Sequence, residues 1–298
     1  MGAIVHFPPD LKDWLTHNIR RGATAAPLID AMKQQGFNPG IATALVNAFV
    51  SAAQGGKPFP ADSIEIEDPV SNANEYGGFN AKKLASGNLL QAGDRTVKVA
   101  MRVASPALIV LDDFLSMQEC DQLVEMAKPR LMPSTITDPV SGKTVVSENR
   151  SSNGMFFRPG ENALIERIEH RIADLIVMPV ENGEGLQILN YKPGAESTPH
   201  FDFLMPGNAE NNASIARSGQ RVSTMVMYLN DVDDGGGTFF PEAGLTVVPK
   251  KGSALYFEYC NEMNQLDGKS LHAGGRVLQG EKWAATKWMR QKVYVPAA

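Results

Sequence analysis

His200 and Asp202 stand two residues apart in TPHFDFL, and His272, in KSLHAGGRV, is the only histidine that follows them. Residues two apart on a strand project from the same face. One imidazole and one carboxylate would then be presented together. With a second imidazole they form a facial set that leaves three positions of an octahedral Fe(II) open, enough for a bidentate cosubstrate and dioxygen. Each residue also has an ordinary reading: His200 as a hydrogen-bonded core histidine, Asp202 as a turn or cap residue, His272 as a loop residue. Short motifs of this kind arise often by chance.

Lys282 lies ten residues beyond His272, in GEKWAATKWMR. Among Trp283, Ala284, Ala285 and Trp288 it is a candidate for a semi-buried cation, and a buried ammonium needs an anionic partner. A five-carbon diacid chelating the iron through its keto acid end would supply one, in its distal carboxylate. Tyr191, Thr224 and Tyr228 carry hydroxyls that can donate to the same anion. A solvated strand lysine and core hydroxyls are the ordinary alternatives. A zinc hydrolase could use the same three metal ligands, but it has no use for Lys282 and shows no general base.

The elements that must position these groups differ along the chain. Apolar residues recur at helical spacing in three short segments before residue 55: Leu11, Trp14, Leu15 and Ile19; Leu28, Ile29 and Met32; and Ile41, Leu45, Val46, Phe49 and Val50. They predict a small helical bundle over residues 1–55. Residues 56–98 are rich in Gly, Pro, Asn and Ser and read as a linker or extended segment. From residue 99 the texture changes. ALIVLDDFL reads as a buried strand, and SMQECDQLVEMAKPRL and ENALIERIEHRIADLIV read as amphipathic helices. LQILNY, RVSTMVMYLN, GTFFP, LTVVP, SALYFEY and KWAATKWMRQKVYV are short β-branched or aromatic runs separated by Gly or Pro. Many short strands without intervening helices predict an antiparallel barrel or sandwich, braced on one face by the two helices. The polar, Asn-rich stretch 206–220 reads as a mobile lid or a solvated loop, and 138–148 as a second substrate loop.

Composition limits the function classes. The 298 residues suffice for two domains, or one with an appendage. A net charge of -5 and a pI near 5.6 argue against nucleic acid as a partner. No run of 18 apolar residues exists, so no membrane span is expected. Pro8, Pro9 and Asp10 interrupt the start too early for a secretory core, so the cytoplasm is the expected compartment. Two cysteines, Cys120 and Cys260, are too few for a cysteine-rich zinc site or a disulfide framework and are read as buried thiols.

From about Ala107 to Val293, roughly the last two-thirds of the chain, the sequence resembles the catalytic domain of the prolyl 4-hydroxylase family of Fe(II)- and 2-oxoglutarate-dependent dioxygenases. ALIVLDDFLSMQECDQLVEMA, ENRSSNGMFF, LNYKPGAESTPHFDF, RVSTMVMYLNDVDDGGGTFFPEAG and SLHAGGRVLQGEKWAATKWMR carry the resemblance, in the family's order.

The resemblance implies an α+β fold with a double-stranded β-helix (jelly-roll) core braced by helices, over residues 99–298. It implies Fe(II) on His200, Asp202 and His272, and 2-oxoglutarate against Lys282, Tyr191, Thr224 and Tyr228, with Trp288 walling the pocket near the metal. Dioxygen is the co-reactant, and ascorbate is an auxiliary reductant the family often uses. Arg150, Ser151, Ser152 and Arg221 fall where the family touches a proline-containing peptide. Arg290 departs from the histidine the family often has two residues after the terminal tryptophan. The implied reaction is hydroxylation of a prolyl residue in a peptide or protein by a monomer or homodimer, with succinate and CO2 as coproducts. The alternatives are the same chemistry on a free amino acid, lysyl side chain or small metabolite, and a binding module that keeps the fold without catalysis.

Overall fold

The computed structural model describes residues 3–35, 37, 39–66, 80–133, 135–137, 144–146, 152–205, 209–261 and 265–297. The chain divides into two compact units, Met1–Glu75 and Tyr76–Ala298.

The first unit holds α1 (Pro9–Arg20), α2 (Ala25–Gln34) and α3 (Pro39–Gln54). Pro9 occupies the first helical position of α1, where a missing N–H costs nothing. Leu15, Leu28, Met32, Leu45, Val46 and Phe49 from the predicted stripes form its core. Trp14, expected in the first stripe, is 37% exposed. The unit also contains an antiparallel strand pair that the sequence reading missed. Ala3–His6 pairs with Ser63–Ile66, and Ile64 joins the core.

The second unit is built on a nine-stranded antiparallel sheet. Its spatial order is Leu89–Ala92, Arg95–Val103, Leu108–Asp112, Ala254–Glu258, Arg221–Tyr228, Lys282–Arg290, Leu186–Tyr191, Asn153–Phe157 and Met132–Pro133. A four-stranded sheet, in the order Ser197–His200, His272–Gly274, Thr238–Phe240 and Leu245–Val247, packs against its inner face. Phe240 of the small sheet meets Phe257 of the large one edge-on, ring centroids 5.2 Å apart, and both belong to one buried cluster with Tyr228, Val247 and Leu255. This is the expected double-stranded β-helix.

Helices α4 (Met117–Ala127) and α5 (Ala163–Ile176) cover the outer face of the large sheet. Ser116 and Glu119 form a reciprocal capping box at the start of α4. Glu119 is also paired with the buried Arg171 of α5 at 2.8 Å, which ties the two helices together.

The central strand Lys282–Arg290 is buried along its whole length. Side chains alternate between the two faces of a strand. Trp283, Ala285 and Met289 join the helix-side core. Lys282, Ala284, Thr286 and Trp288 are therefore turned to the interior between the sheets.

Residues 56–98, read as a linker or extended segment, contain structure belonging to both units. Ser63–Ile66 is part of the first. Leu89–Ala92 and Arg95–Val103 form a hairpin on the edge of the large sheet, turning at Gly93 with φ 55°. Of the stretch read as a polar loop over 206–220, residues Ala209–Ser218 form α6. In the other, 138–148, only Thr144–Val146 is described, as a strand antiparallel to Thr135–Thr137.

Candidate active site

His200 ends the strand Ser197–His200 and lies directly opposite His272 on the neighbouring strand of the small sheet. Asp202 falls in the bend just after the strand, so the bend rather than strand alternation brings its carboxylate back to the imidazoles. Asp202 Oδ1 is 3.7 Å from His200 Nε2, and Asp202 Oδ2 is 3.6 Å from His272 Nε2. The donor atoms of all three residues lie within 4.8 Å of one another.

Both rings are held by their other nitrogen. His200 Nδ1 is 2.8 Å from the Thr198 carbonyl oxygen, and His272 Nδ1 is 3.0 Å from that of Ser270. A carbonyl only accepts, so each Nδ1 carries the proton and each Nε2 keeps a lone pair for a metal. Phe257 and Phe240 pack on the His272 ring at 4.8 and 5.7 Å. The carboxylate is ready for the same role. Burial acts to raise the Asp202 pKa, but the charge that His272 and His200 carry when protonated in acid, with Arg221 and the Thr224 hydroxyl, outweighs it and holds it at about 2.

A second cluster surrounds Lys282, which is 4% exposed. Its Nζ donates to the Gly236 carbonyl oxygen at 2.7 Å, lies 3.5 Å from Thr238 Oγ1, and sits 5.6 Å from the ring centroids of both Tyr191 and Tyr228. Tyr228 donates its hydroxyl to Thr238 Oγ1 at 2.9 Å. Among the described residues no carboxylate forms an ion pair with Lys282, and burial pulls its pKa down to about 8. The carbonyl that receives Lys282 depends on a glycine turn. Gly236 has φ 67°, and a Cβ on Gly235 would come within 2.2 Å of the Arg276 carbonyl oxygen.

The two clusters are close. Thr238 pairs with Gly274, two residues along the strand from His272. Such diagonal neighbours lie about 7–8 Å apart, a span a five-carbon diacid bridges. A buried cation that pairs with no carboxylate among the described residues, beside the Thr238 hydroxyl and the rings of Tyr191 and Tyr228 and near a His–Asp–His set, fits a metal-bound keto diacid.

The remaining expected residues fall in different places. Thr224, expected beside the cosubstrate, instead donates to Asp202 Oδ2 at 2.7 Å. Thr238, which the sequence reading passed over within GTFFP, occupies the position by Lys282. Trp288 lies opposite Thr224 on the inner face, with the Arg221 guanidinium stacked 4.3 Å over its ring. Arg221, expected to contact substrate, forms a bidentate pair with Glu184 at 2.7 and 2.8 Å. Ser152 is buried, and Arg150 and Ser151 lie outside the described residues. Arg290 is also buried, bonded to the same Glu184 at 2.9 Å and to the carbonyls of Gly219 and Ser214.

The sequence profile of the 2OG-Fe(II) oxygenase superfamily matches residues 186–290, a span that holds both clusters. Prolyl 4-hydroxylase 1 of Arabidopsis thaliana is 43% identical over 219 residues, covering 68% of this chain and 75% of that one. The chain belongs to the prolyl 4-hydroxylase family. It is a 2-oxoglutarate-dependent dioxygenase, with Fe(II) and 2-oxoglutarate as its cofactors. Prolyl 4-hydroxylase 5 of the same plant is 41% identical over 224 residues, covering 68% of this chain and 74% of its own. Among solved structures, a viral collagen prolyl hydroxylase of Paramecium Bursaria Chlorella virus-1 aligns at 28% identity with a TM-score of 0.48, covering 61% of this chain and 95% of that one.

Proposed function

We propose that this dioxygenase hydroxylates a prolyl residue in a peptide or protein at C-4. The observation that carries the chemistry is the buried Lys282, which meets no carboxylate among the described residues and lies beside the His200–Asp202–His272 cluster. Relatives named for prolyl 4-hydroxylation, about 40% identical over two-thirds of the chain, support the substrate.

His200 and His272 would hold Fe(II) through Nε2, and Asp202 through its carboxylate. Lys282, Thr238, Tyr191 and Tyr228 would receive the distal carboxylate of 2-oxoglutarate. A charge-assisted bond to a desolvated ammonium is strong and directional, so it sets the register of the keto acid end. The bound iron and 2-oxoglutarate supply oxidative decarboxylation to succinate and CO2, which drives hydroxylation of an unactivated C–H. Phe240 and Phe257 keep water from one side of His272. Trp288 walls the pocket, its ring fixed by Arg221. Arg221 is itself fixed by Glu184 and shapes the site from behind Trp288.

One observation favours a second reading, the same chemistry on a small metabolite. Arg290 stands where the family often has a histidine, and it is turned inward to Glu184 and α6. Incubation with a proline-containing peptide, and with the same peptide carrying alanine in place of proline, separates the two. A one-oxygen mass gain confined to the first, with 4-hydroxyproline in its hydrolysate, supports the peptide reading. No gain on either peptide, with 2-oxoglutarate still consumed, supports a metabolite. We also infer residence in a reducing compartment such as the cytoplasm, supported by the two free, buried cysteines; cell fractionation tests it.

A further inference from the structure

Asp202 has more partners than a metal ligand needs. Thr224 Oγ1 lies 2.7 Å from Asp202 Oδ2, and Tyr259 Oη lies 3.0 Å from Thr224 Oγ1. Thr224 and Tyr259 are both 0% exposed.

Counting hydrogens fixes the direction of this chain. An ionised carboxylate has none to give, so the single threonine hydrogen points at Asp202. The threonine oxygen is then left as an acceptor, and Tyr259 must donate to it. The phenol is held in place on several sides. Its ring packs on Phe203 and Phe257 at 6.1 and 5.8 Å, its N–H donates to the Val222 carbonyl, and its carbonyl accepts from Asp267 N–H.

We propose that Tyr259 and Thr224 form a one-way hydrogen-bond relay that fixes the rotation of the Asp202 carboxylate, so that a metal meets it in one orientation. The proposal rests on the iron-site reading above and concerns how that site stays open. A facial set works only if its carboxylate takes one position. If Asp202 turned both oxygens to the metal, it would fill one of the three positions that the chelating keto acid and dioxygen need. Thr224 opposes such turning by drawing Oδ2 to its hydroxyl, and Tyr259 supports it by keeping the threonine hydrogen pointed at Asp202, so a carboxylate released from both would present itself less well to the metal. Both are positioning residues, acting through Asp202 without touching the reacting atoms.

The test is anaerobic titration of the whole protein with Fe(II), then with 2-oxoglutarate, following metal affinity and the visible charge-transfer band of the iron–keto acid complex. Groups that orient metal ligands typically contribute about 10- to 100-fold to affinity. Thr224→Val, which keeps the shape and loses the hydroxyl, is expected to lose about that much and to weaken or shift the band. Thr224→Ser restores the hydroxyl and is expected to restore both. Tyr259→Phe is expected to lose less, because the threonine can still donate when free to turn. Since Tyr259 acts through Thr224, the double variant is expected to match Thr224→Val alone rather than sum the two losses.

Thr224→Val with wild-type affinity and an unchanged band overturns the relay while leaving the iron site standing. So does an additive double variant. Failure of Thr224→Ser to restore both readouts also overturns it, by reducing Thr224 to a packing residue. Wild-type protein that binds no Fe(II) overturns the iron-site reading and the relay together.

Discussion

Lys282 Nζ lies 2.7 Å from the carbonyl oxygen of Gly236, and that neutral oxygen is the shortest contact of a buried side chain. Burying an ammonium against a carbonyl alone is unfavourable, and the pKa drop to about 8 expresses that cost. The site is built to be completed by an anion.

Replacing Lys282 with methionine keeps the length and removes the charge. A hydrogen bond to a charged group contributes about 1.5–3 kcal/mol. The KM for 2-oxoglutarate is therefore expected to rise about tenfold to a hundredfold, with the thermal unfolding temperature preserved or raised. Steady-state kinetics over a 2-oxoglutarate series check this; an unchanged KM places the diacid elsewhere.

The same lysine sets a pH dependence. In the free protein it loses its proton near pH 8, against 10.5 for its ordinary value. Affinity for 2-oxoglutarate is expected to fall as pH rises through about 8, because the cation that holds the diacid is lost. Stability moves the other way. Between about 8 and 10.5 the unfolded chain binds this proton and the folded chain does not, so the folded state gains stability as pH rises. Bound 2-oxoglutarate restores the charge and is expected to flatten that gain. Urea unfolding across this range, with and without 2-oxoglutarate, reads both effects.

Asp202→Ala is expected to abolish Fe(II)-dependent succinate formation while leaving the sheets intact, because Asp202 lies in a bend outside the strands and the apolar cluster between the sheets is unchanged. Far-ultraviolet circular dichroism and a succinate assay on one preparation decide it. Retained turnover would remove the three-ligand assignment.

Glu184 links Arg221 and Arg290 and is itself buried. Breaking a buried pair by removing one partner costs about 3–5 kcal/mol, so Glu184→Ala is expected to lose about that much in urea unfolding. Burial acts to raise the Glu184 pKa, but the two guanidiniums outweigh it and hold it below 4.5. Its contribution is therefore present above about pH 4.5 and lost as pH falls below. Wild-type protein is expected to show this acid loss and the alanine variant to lack it.

Much of the site was legible because its residues sit in short ordered blocks. The order and spacing of the family's blocks point to His200, Asp202, His272 and Lys282, whereas the strand alternation expected to join His200 to Asp202 is replaced by a bend. The two threonines of the site are harder to tell apart. Thr224 and Thr238 both lie on strands between the sheets, and nothing local tells which stands by Lys282. The pairing of Thr238 with Gly274 decides it, and that register joins residues far apart in sequence. Helix α6 was illegible for a similar reason. AENNASIARS has no strong apolar stripe, and carbonyls at its end accept from Arg290, more than seventy residues away. In the segment read as a linker, Gly93-Asp94 is a two-residue hairpin signal that could have been found. The pairing of Ser63–Ile66 with Ala3–His6 could not, because four-residue strands reveal a partner only when folded.

The central claim is iron- and 2-oxoglutarate-dependent hydroxylation of a peptidyl proline. The most direct measurement is succinate and 4-hydroxyproline quantified in one aerobic reaction with Fe(II), 2-oxoglutarate and a proline-rich peptide. The account predicts peptide-stimulated succinate formed in equal amount to hydroxyproline. Succinate that ignores the peptide, or none at all from folded, metal-loaded protein, would contradict it.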